Sequence, residues 1–120
     1  MTRLTIRHGN KADLIALHPE GLPDTCRLIA VVKGEKTVGV CGVMHGDQMQ
    51  AFSYISEELR KYPAAIYRAG LKLVELMGDY NSPILATADK SQGRSEAFLL
   101  RLGFSDIGEI EGMRLFVWEA

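Results

Sequence analysis

Residues 84–104, Ile-Leu-Ala-Thr-Ala-Asp-Lys-Ser-Gln-Gly-Arg-Ser-Glu-Ala-Phe-Leu-Leu-Arg-Leu-Gly-Phe, constrain the fold more tightly than any other stretch. An apolar run behind the breaker Pro83 predicts a buried strand over 84–88. Residues 89–93 offer turn chemistry and possible helix N-caps. The pattern over 95–102 is helical, and Gly103 stands where a left-handed residue must end that helix. Phe104 then turns the chain back to the core. A strand, a short helix and a new strand are therefore written into 21 consecutive residues. None of them makes a catalytic motif.

The rest of the chain supplies what this unit packs against. Alternation over 4–7 predicts a first strand. Asn10 is placed to cap a helix over 11–17, with Leu14, Ile15 and Leu17 turned inward. Two prolines and a glycine over 18–24 end it. β-Branched arms over 27–32 and 37–44 flank the turn Lys33-Gly-Glu-Lys36, a hairpin signal. A three-residue turn sets Cys41 opposite Ile29, and a two-residue turn sets it opposite Leu28. Neither brings Cys26 across from Cys41, so two free thiols are expected. A third strand over 48–55 completes a meander. Ser56-Glu-Glu-Leu59 can form one helical turn. Pro63 suits the first turn of a longer helix reaching about residue 78, with Ile66, Ala69, Leu73, Leu76 and Met77 on its apolar face. Gly70 costs that helix about 1 kcal/mol unless something packs closely there. A last strand spans 113–118.

The order is strand, helix, three strands, helix, strand, helix, two strands. It predicts an α/β (mixed α+β) domain spanning 1–120, with a central mixed sheet of about six to seven strands flanked by three helices. The strand after the long helix should lie parallel to the third meander strand by a right-handed crossover.

Net charge is −1 and no basic stripe exists, which argues against nucleic acid. No run approaches the roughly 18–20 apolar residues of a membrane span. Residues 1–8 lack a signal-peptide apolar region, so a cytoplasmic location is expected. His8, His18 and His45 are scattered and no Cys/His spacing suggests a metal.

The element order, with Leu102-Gly103-Phe104 closing the last helix before a final hairpin, resembles the GNAT superfamily of acyl-CoA-dependent N-acyltransferases. Residues 56–104 are more narrowly similar to small GNAT-like proteins of tailed phages, which would place the chain in host cytoplasm or a virion. The resemblance implies transfer of acetyl from acetyl-CoA, as co-substrate, to a small-molecule or peptide amine, with no metal. It implies a gap between the strands at 48–55 and 84–88. Backbone at Ala51, Phe52, Ser53 or Tyr54 would pair with pantetheine, and a backbone N–H would polarise the thioester carbonyl. The start of the long helix would receive the pyrophosphate. A homodimer or virion partners are further expectations.

Three positions depart from the family pattern. The glycine-rich phosphate loop is replaced by Ser56-Glu-Glu-Leu-Arg-Lys-Tyr-Pro63. Arg60 and Lys61 could attract a diphosphate there, and Glu57 and Glu58 would repel it. Gln92 stands at the usual Asn position, with Ser91 and Arg94 beside it, and Leu99 replaces the usual Tyr acid. The expected cofactor-binding set is therefore Ala51, Phe52, Ser53, Arg60, Lys61, Gln92 and Arg94. Glu57 is the candidate base, with Glu58 beside it, and Tyr54 the candidate acid, with Tyr62 and Tyr67 as other hydroxyls. Each also has an ordinary role: first-turn carboxylate, solvated cation, packed aromatic. His45, in a turn, and Cys41, with no His beside it, are poor candidates. The departures leave open a catalytically silent GNAT-fold protein serving as a virion or interaction component.

Overall fold

The computed structural model describes residues 3–89 and 93–119. Its elements are β1 (Leu4–His8), α1 (Lys11–Leu17), β2 (Cys26–Lys33), β3 (Lys36–His45), β4 (Met49–Ile55), α2 (Pro63–Met77), β5 (Ile84–Asp89), α3 (Gly93–Arg101), β6 (Ser105–Ile110) and β7 (Met113–Trp118). A single 3-10 turn, Leu59–Lys61, precedes α2. The seven strands form one sheet in the order β1-β2-β3-β4-β5-β7-β6. β4 and β5 run parallel, as the crossover through α2 requires, and the remaining described pairs are antiparallel. No helix among the described residues is long and apolar enough to cross a membrane.

Strand alternation sorts the side chains onto two faces. Leu28, Ala30, Val32 and Val40 pack under Leu14 of α1, joined by half-buried Leu17, Phe52 and Tyr54. Val43, Ile84, Ala86, Ala88 and Phe116 face the other way and meet Leu73, Leu76 and Met77 of α2. Phe98, Leu99 and Leu102 of the α3 segment pack against that same cluster. Ile15, expected inward, is 38 % exposed. In a seven-residue helix the stripe over the sheet is one residue wide at each turn. Leu14 and Leu17 occupy it, leaving Ile15 about 100° round the helix.

The β2–β3 turn resolves the two alternatives by a third route. It holds two residues, with Lys33 opposite Lys36 and Gly34 at φ +64°. A bulge between Val31 and Val32 then shifts the ladder by one, and Cys41 faces Ile29 after all. Cys26 faces Met44, and both thiols are free. β4 begins at Met49, one residue later than expected, and α2 ends at Met77.

The end of α3 is a Schellman motif. Phe104 N–H donates to Leu99 C=O and Gly103 N–H to Leu100 C=O, each at 3.1 Å. Gly103 has φ +101°, which only glycine adopts without strain.

Candidate functional site

The sheet opens between its two parallel strands. β4 and β5 are registered at Met49–Ile84 and Gln50–Leu85 only. Beyond that, β4 stays paired with β3 as far as Ile55, opposite Gly39. β5 likewise stays paired with β7 as far as Asp89, opposite Met113. Residues 51–55 and 86–89 therefore diverge, each held from behind, and their facing backbone edges lack a strand partner. Ser53 is exposed although it lies inside a seven-residue strand.

Ala51, Phe52 and Ser53, the expected backbone ligands of a cofactor, all lie on this open edge. The side chain of Ala51 joins the α2 cluster. Those of Phe52 and Tyr54 point to the α1 face, with ring centroids 5.8 Å apart. His18, the residue that ends α1, lies flat on Tyr54, with centroids 4.4 Å apart and an interplanar angle of 4°. An aromatic wall of Phe52, Tyr54 and His18 thus borders the gap on the side opposite α2. Tyr54, the candidate acid, is part of it. Glu57 is exposed in the loop beyond β4, and no described contact joins it to Tyr54.

The loop of residues 56–63 is a tight turn hung on Leu59, which is 2 % exposed and fills the space a Cβ on Gly39 would need. The backbone donors of residues 59–62 are used within the loop. Leu59 N–H donates to Ser56 Oγ at 3.2 Å. Arg60, Lys61 and Tyr62 N–H groups donate to the carbonyls of Ser56, Glu58 and Leu59, and Pro63 has no N–H. The N–H groups of residues 59–62 are therefore not available to an anion at this end of the gap, where the side chains of Arg60 and Lys61 are both exposed. Glu58 is already committed, 2.7 Å from Lys33 Nζ and 3.3 Å from Lys36 Nζ. Hydrogen bonds from those two lysines hold its carboxyl below the usual range, and Glu58 in turn raises Lys33. A carboxylate stabilised in its charged form by two cations is a weak base.

Gln92 and Ser91 lie outside the described residues. Arg94 belongs to the first turn of α3, and its side chain too is outside them. Leu99, where the resemblance leads one to expect a Tyr acid, packs against the core. Tyr67 lies under the Arg101 guanidinium, 4.4 Å from ring centroid to Cζ, and Tyr62 is exposed on the loop. Burial pushes the Cys41 thiol up to about 12, so it stays protonated and inert.

Three polar groups carry structure that residue patterns did not reveal. Asp13 is buried, bonded to Arg7 at 2.8 Å and 3.0 Å and to Thr37 Oγ1 at 2.6 Å. It also closes a capping box with Asn10; the Asn10-x-x-Asp13 spacing was the available signal. His45 ends β3 at the closed end of the gap. Its Nδ1 is 3.0 Å from Thr25 Oγ1 and its Nε2 2.5 Å from the Tyr80 hydroxyl. Burial raises the Tyr80 phenol, which keeps it a donor. In the tautomer with a proton on Nδ1 alone, the ring donates to Thr25 Oγ1 and accepts from Tyr80. Nothing in local sequence links these residues, because the contact spans 35 positions. No cluster of metal-ligating side chains occurs among the described residues.

The architecture is shared with solved acetyltransferases. An N-acetyltransferase from Staphylococcus aureus superposes with TM-score 0.76 and 13% identity, covering 98% of each chain. A ribosomal-protein-S5-alanine acetyltransferase from Vibrio fischeri gives 0.71 and 13%, over 99% of this chain and 96% of that one. The spermidine/spermine N-acetyltransferase SpeG from Vibrio cholerae gives 0.64 and 13%, over 97% and 94%. No protein-family model matches the chain, and no curated protein sequence does. The mixed sheet of seven strands and three helices is the GNAT-like acyl-CoA N-acyltransferase fold.

Proposed function

We propose that the chain is an acyl-CoA-dependent N-acetyltransferase that acts on an amine. The observation that carries this reading is the divergence of β4 from β5 after only two registered pairs. A closed sheet would have no use for such a break, since each unpaired strand edge leaves amide groups without protein partners. An extended amide-bearing chain laid along residues 51–53 could pair with that edge. The pantetheine of acetyl-CoA is such a chain.

The residues fit the donor unequally along its length. At the strand edge, Ala51, Phe52 and Ser53 offer backbone groups, and an N–H there is suited to polarise an acyl carbonyl. At the loop end, the fit rests on charge. Arg60 and Lys61, with Arg94 from the start of α3 and Gln92 just before it, would meet the phosphates. When bound, acetyl-CoA supplies an acetyl group activated as a thioester. The family resemblance offers Glu57 and the Tyr54 hydroxyl as groups that could handle protons. The acceptor is an amine, small or on a peptide. Structures with this fold include enzymes named for a ribosomal-protein alanine and for spermidine or spermine.

The test is thermal denaturation with acetyl-CoA. A ligand at 100 times its Kd adds about 2.7 kcal/mol to folded-state stability, a clear rise in Tm. An unchanged Tm at millimolar acetyl-CoA overturns the reading.

A further inference from the structure

We infer that His18 is the base that takes the proton from the acceptor amine, an assignment that rests on the N-acetyltransferase reading above. An amine at neutral pH is an ammonium ion and has no lone pair for attack until it loses a proton. Something beside the gap must accept it, and His18 takes that role in place of Glu57, which is exposed in the loop beyond β4 with no described contact to Tyr54. Glu58 is held by Lys33 and Lys36. The positions of β4 on the α1 face are Gln50, Phe52 and Tyr54, none of them a base at neutral pH.

The histidines of the chain make the contrast. His45 has a hydrogen-bond partner on each ring nitrogen and serves as a structural bridge. His18 is fixed differently. Its backbone N–H donates to Leu14 C=O at 2.8 Å, and its C=O accepts from Gly21 N–H at 2.9 Å. Its ring is held by the face of Tyr54. Stacking fixes the plane of an imidazole and leaves both nitrogens in that plane open, as a base requires. Among the described residues, neither nitrogen has a hydrogen-bond partner. The ring is half-buried and stacked on Tyr54, a residue of the part of β4 that has parted from β5.

The electrostatic surroundings suit the task. β4 brings Tyr54 against the ring, and β2 contributes Cys26 to the same face, its thiol raised by burial. On the segment of His18 itself, Glu20 and Asp24 are exposed. Asp13, at the far end of α1, is committed to Arg7 and Thr37. β3 presents Val40 and Gly42 to this face. No described carboxylate is paired with the imidazole to hold it permanently charged.

The step balances. An ammonium proton passes to a ring nitrogen of His18, and the freed lone pair forms the C–N bond to the acetyl carbon. The C–S bond breaks with its electron pair on sulfur. The second proton leaving nitrogen neutralises the thiolate, and His18 returns the first to solvent.

The experiment follows CoA thiol release from acetyl-CoA with spermidine or an alanyl peptide as probe amine, beside the acetyl-CoA thermal shift. The decisive variant is His18→Phe, which keeps a ring to stack on Tyr54 and removes the nitrogens. It should keep the acetyl-CoA stabilisation and lose about 100-fold in kcat/KM. Any fall in the wild-type rate as pH is lowered through the range where the base takes up a proton should disappear with it. In His18→Gly, added imidazole should restore part of the rate, which a purely structural role would not predict. A His18→Phe protein with wild-type rate and pH profile overturns the assignment. So does an acetyl-CoA-stabilised wild type that acetylates neither amine. A wild type that acetyl-CoA fails to stabilise overturns the underlying reading as well, so the two failures are told apart.

Discussion

Gly70 of α2 meets the Phe98 ring of α3 with no room for a methyl group between them. A Cβ on Gly70 would lie 2.8 Å from Phe98 Cζ and 3.1 Å from each methyl of Leu102. The helix forgoes about 1 kcal/mol of propensity at this position to let the two helices touch. Gly70→Ala recovers that propensity but overpacks the contact, at a cost of about 1–3 kcal/mol. The expected net result is a loss near 1 kcal/mol, seen as a lower urea midpoint with unchanged m-value. Combining it with Phe98→Leu should be less damaging than the sum of the single changes, because the two residues share one contact.

Asp13 ties β1, α1 and β3 together, and its charge makes the tie pH-dependent. The hydrogen bond from Arg7 is the largest influence, opposed by burial and assisted by Thr37 and the Asn10 N–H. Together they hold the carboxyl at about 2, against an ordinary 3.8. A depressed folded-state value means stabilisation that is complete above about pH 4 and lost as pH falls toward 2. That depression corresponds to about 2 kcal/mol. Asp13→Asn should therefore be about 2 kcal/mol less stable at pH 7. Urea titrations at descending pH should show wild type and variant converging near pH 2. A difference that persists there would mean that Asp13 acts through shape rather than charge.

The bridge from His45 to Tyr80 pins the entry of β5 to the end of β3, at the end of the gap where the strands still pair. Tyr80→Phe keeps the ring and removes the donor, leaving Nε2 unsatisfied in a half-buried site. A loss of about 1 kcal/mol is expected. Amide exchange at Ile84 and Leu85 should accelerate more than exchange on β2, since those residues hold the last registered pairs before the strands part. Uniform acceleration across the sheet would argue against a local bridge.

The fold was legible wherever a local pattern carries long-range consequence. Leu102-Gly103-Phe104 foretold a helix stop because a Schellman cap needs one left-handed residue and an apolar one after it. The parallel placement of β4 and β5 followed from the handedness of a crossover, without any knowledge of contacts. Gly70 was legible as an anomaly, a helix-breaking residue in want of a neighbour, though not as half of a pair with Phe98. What stayed hidden was set by packing across the sheet. The bulge at Val31 and Val32 leaves no composition signal, so the turn alone could not fix which residue faces Cys41. Glu57 and Glu58 look alike in the sequence. The β2–β3 turn separates them, since only Glu58 meets Lys33 and Lys36. His18 and His45 likewise read as scattered histidines, until the chain stacks one on Tyr54 and gives the other two partners.

The loop end of the gap offers the clearest test of how this chain would hold a nucleotide-bearing donor. With the N–H groups of Leu59, Arg60, Lys61 and Tyr62 spent on the turn itself, Arg60 and Lys61 are the cations this loop offers an anion. Arg60→Ala with Lys61→Ala should weaken acetyl-CoA binding about tenfold, or 1.4 kcal/mol. The deficit should shrink as salt is raised, because both side chains are exposed and screened. Lys72→Ala is the control, since Lys72 pairs with Glu75 beside residues of β1 and β2, away from the loop of residues 56–63. Calorimetric titration at low and high ionic strength reads both effects. An affinity unchanged in the double variant would remove Arg60 and Lys61 from the site. It would return the burden to the start of α3, where Arg94 lies in the first turn.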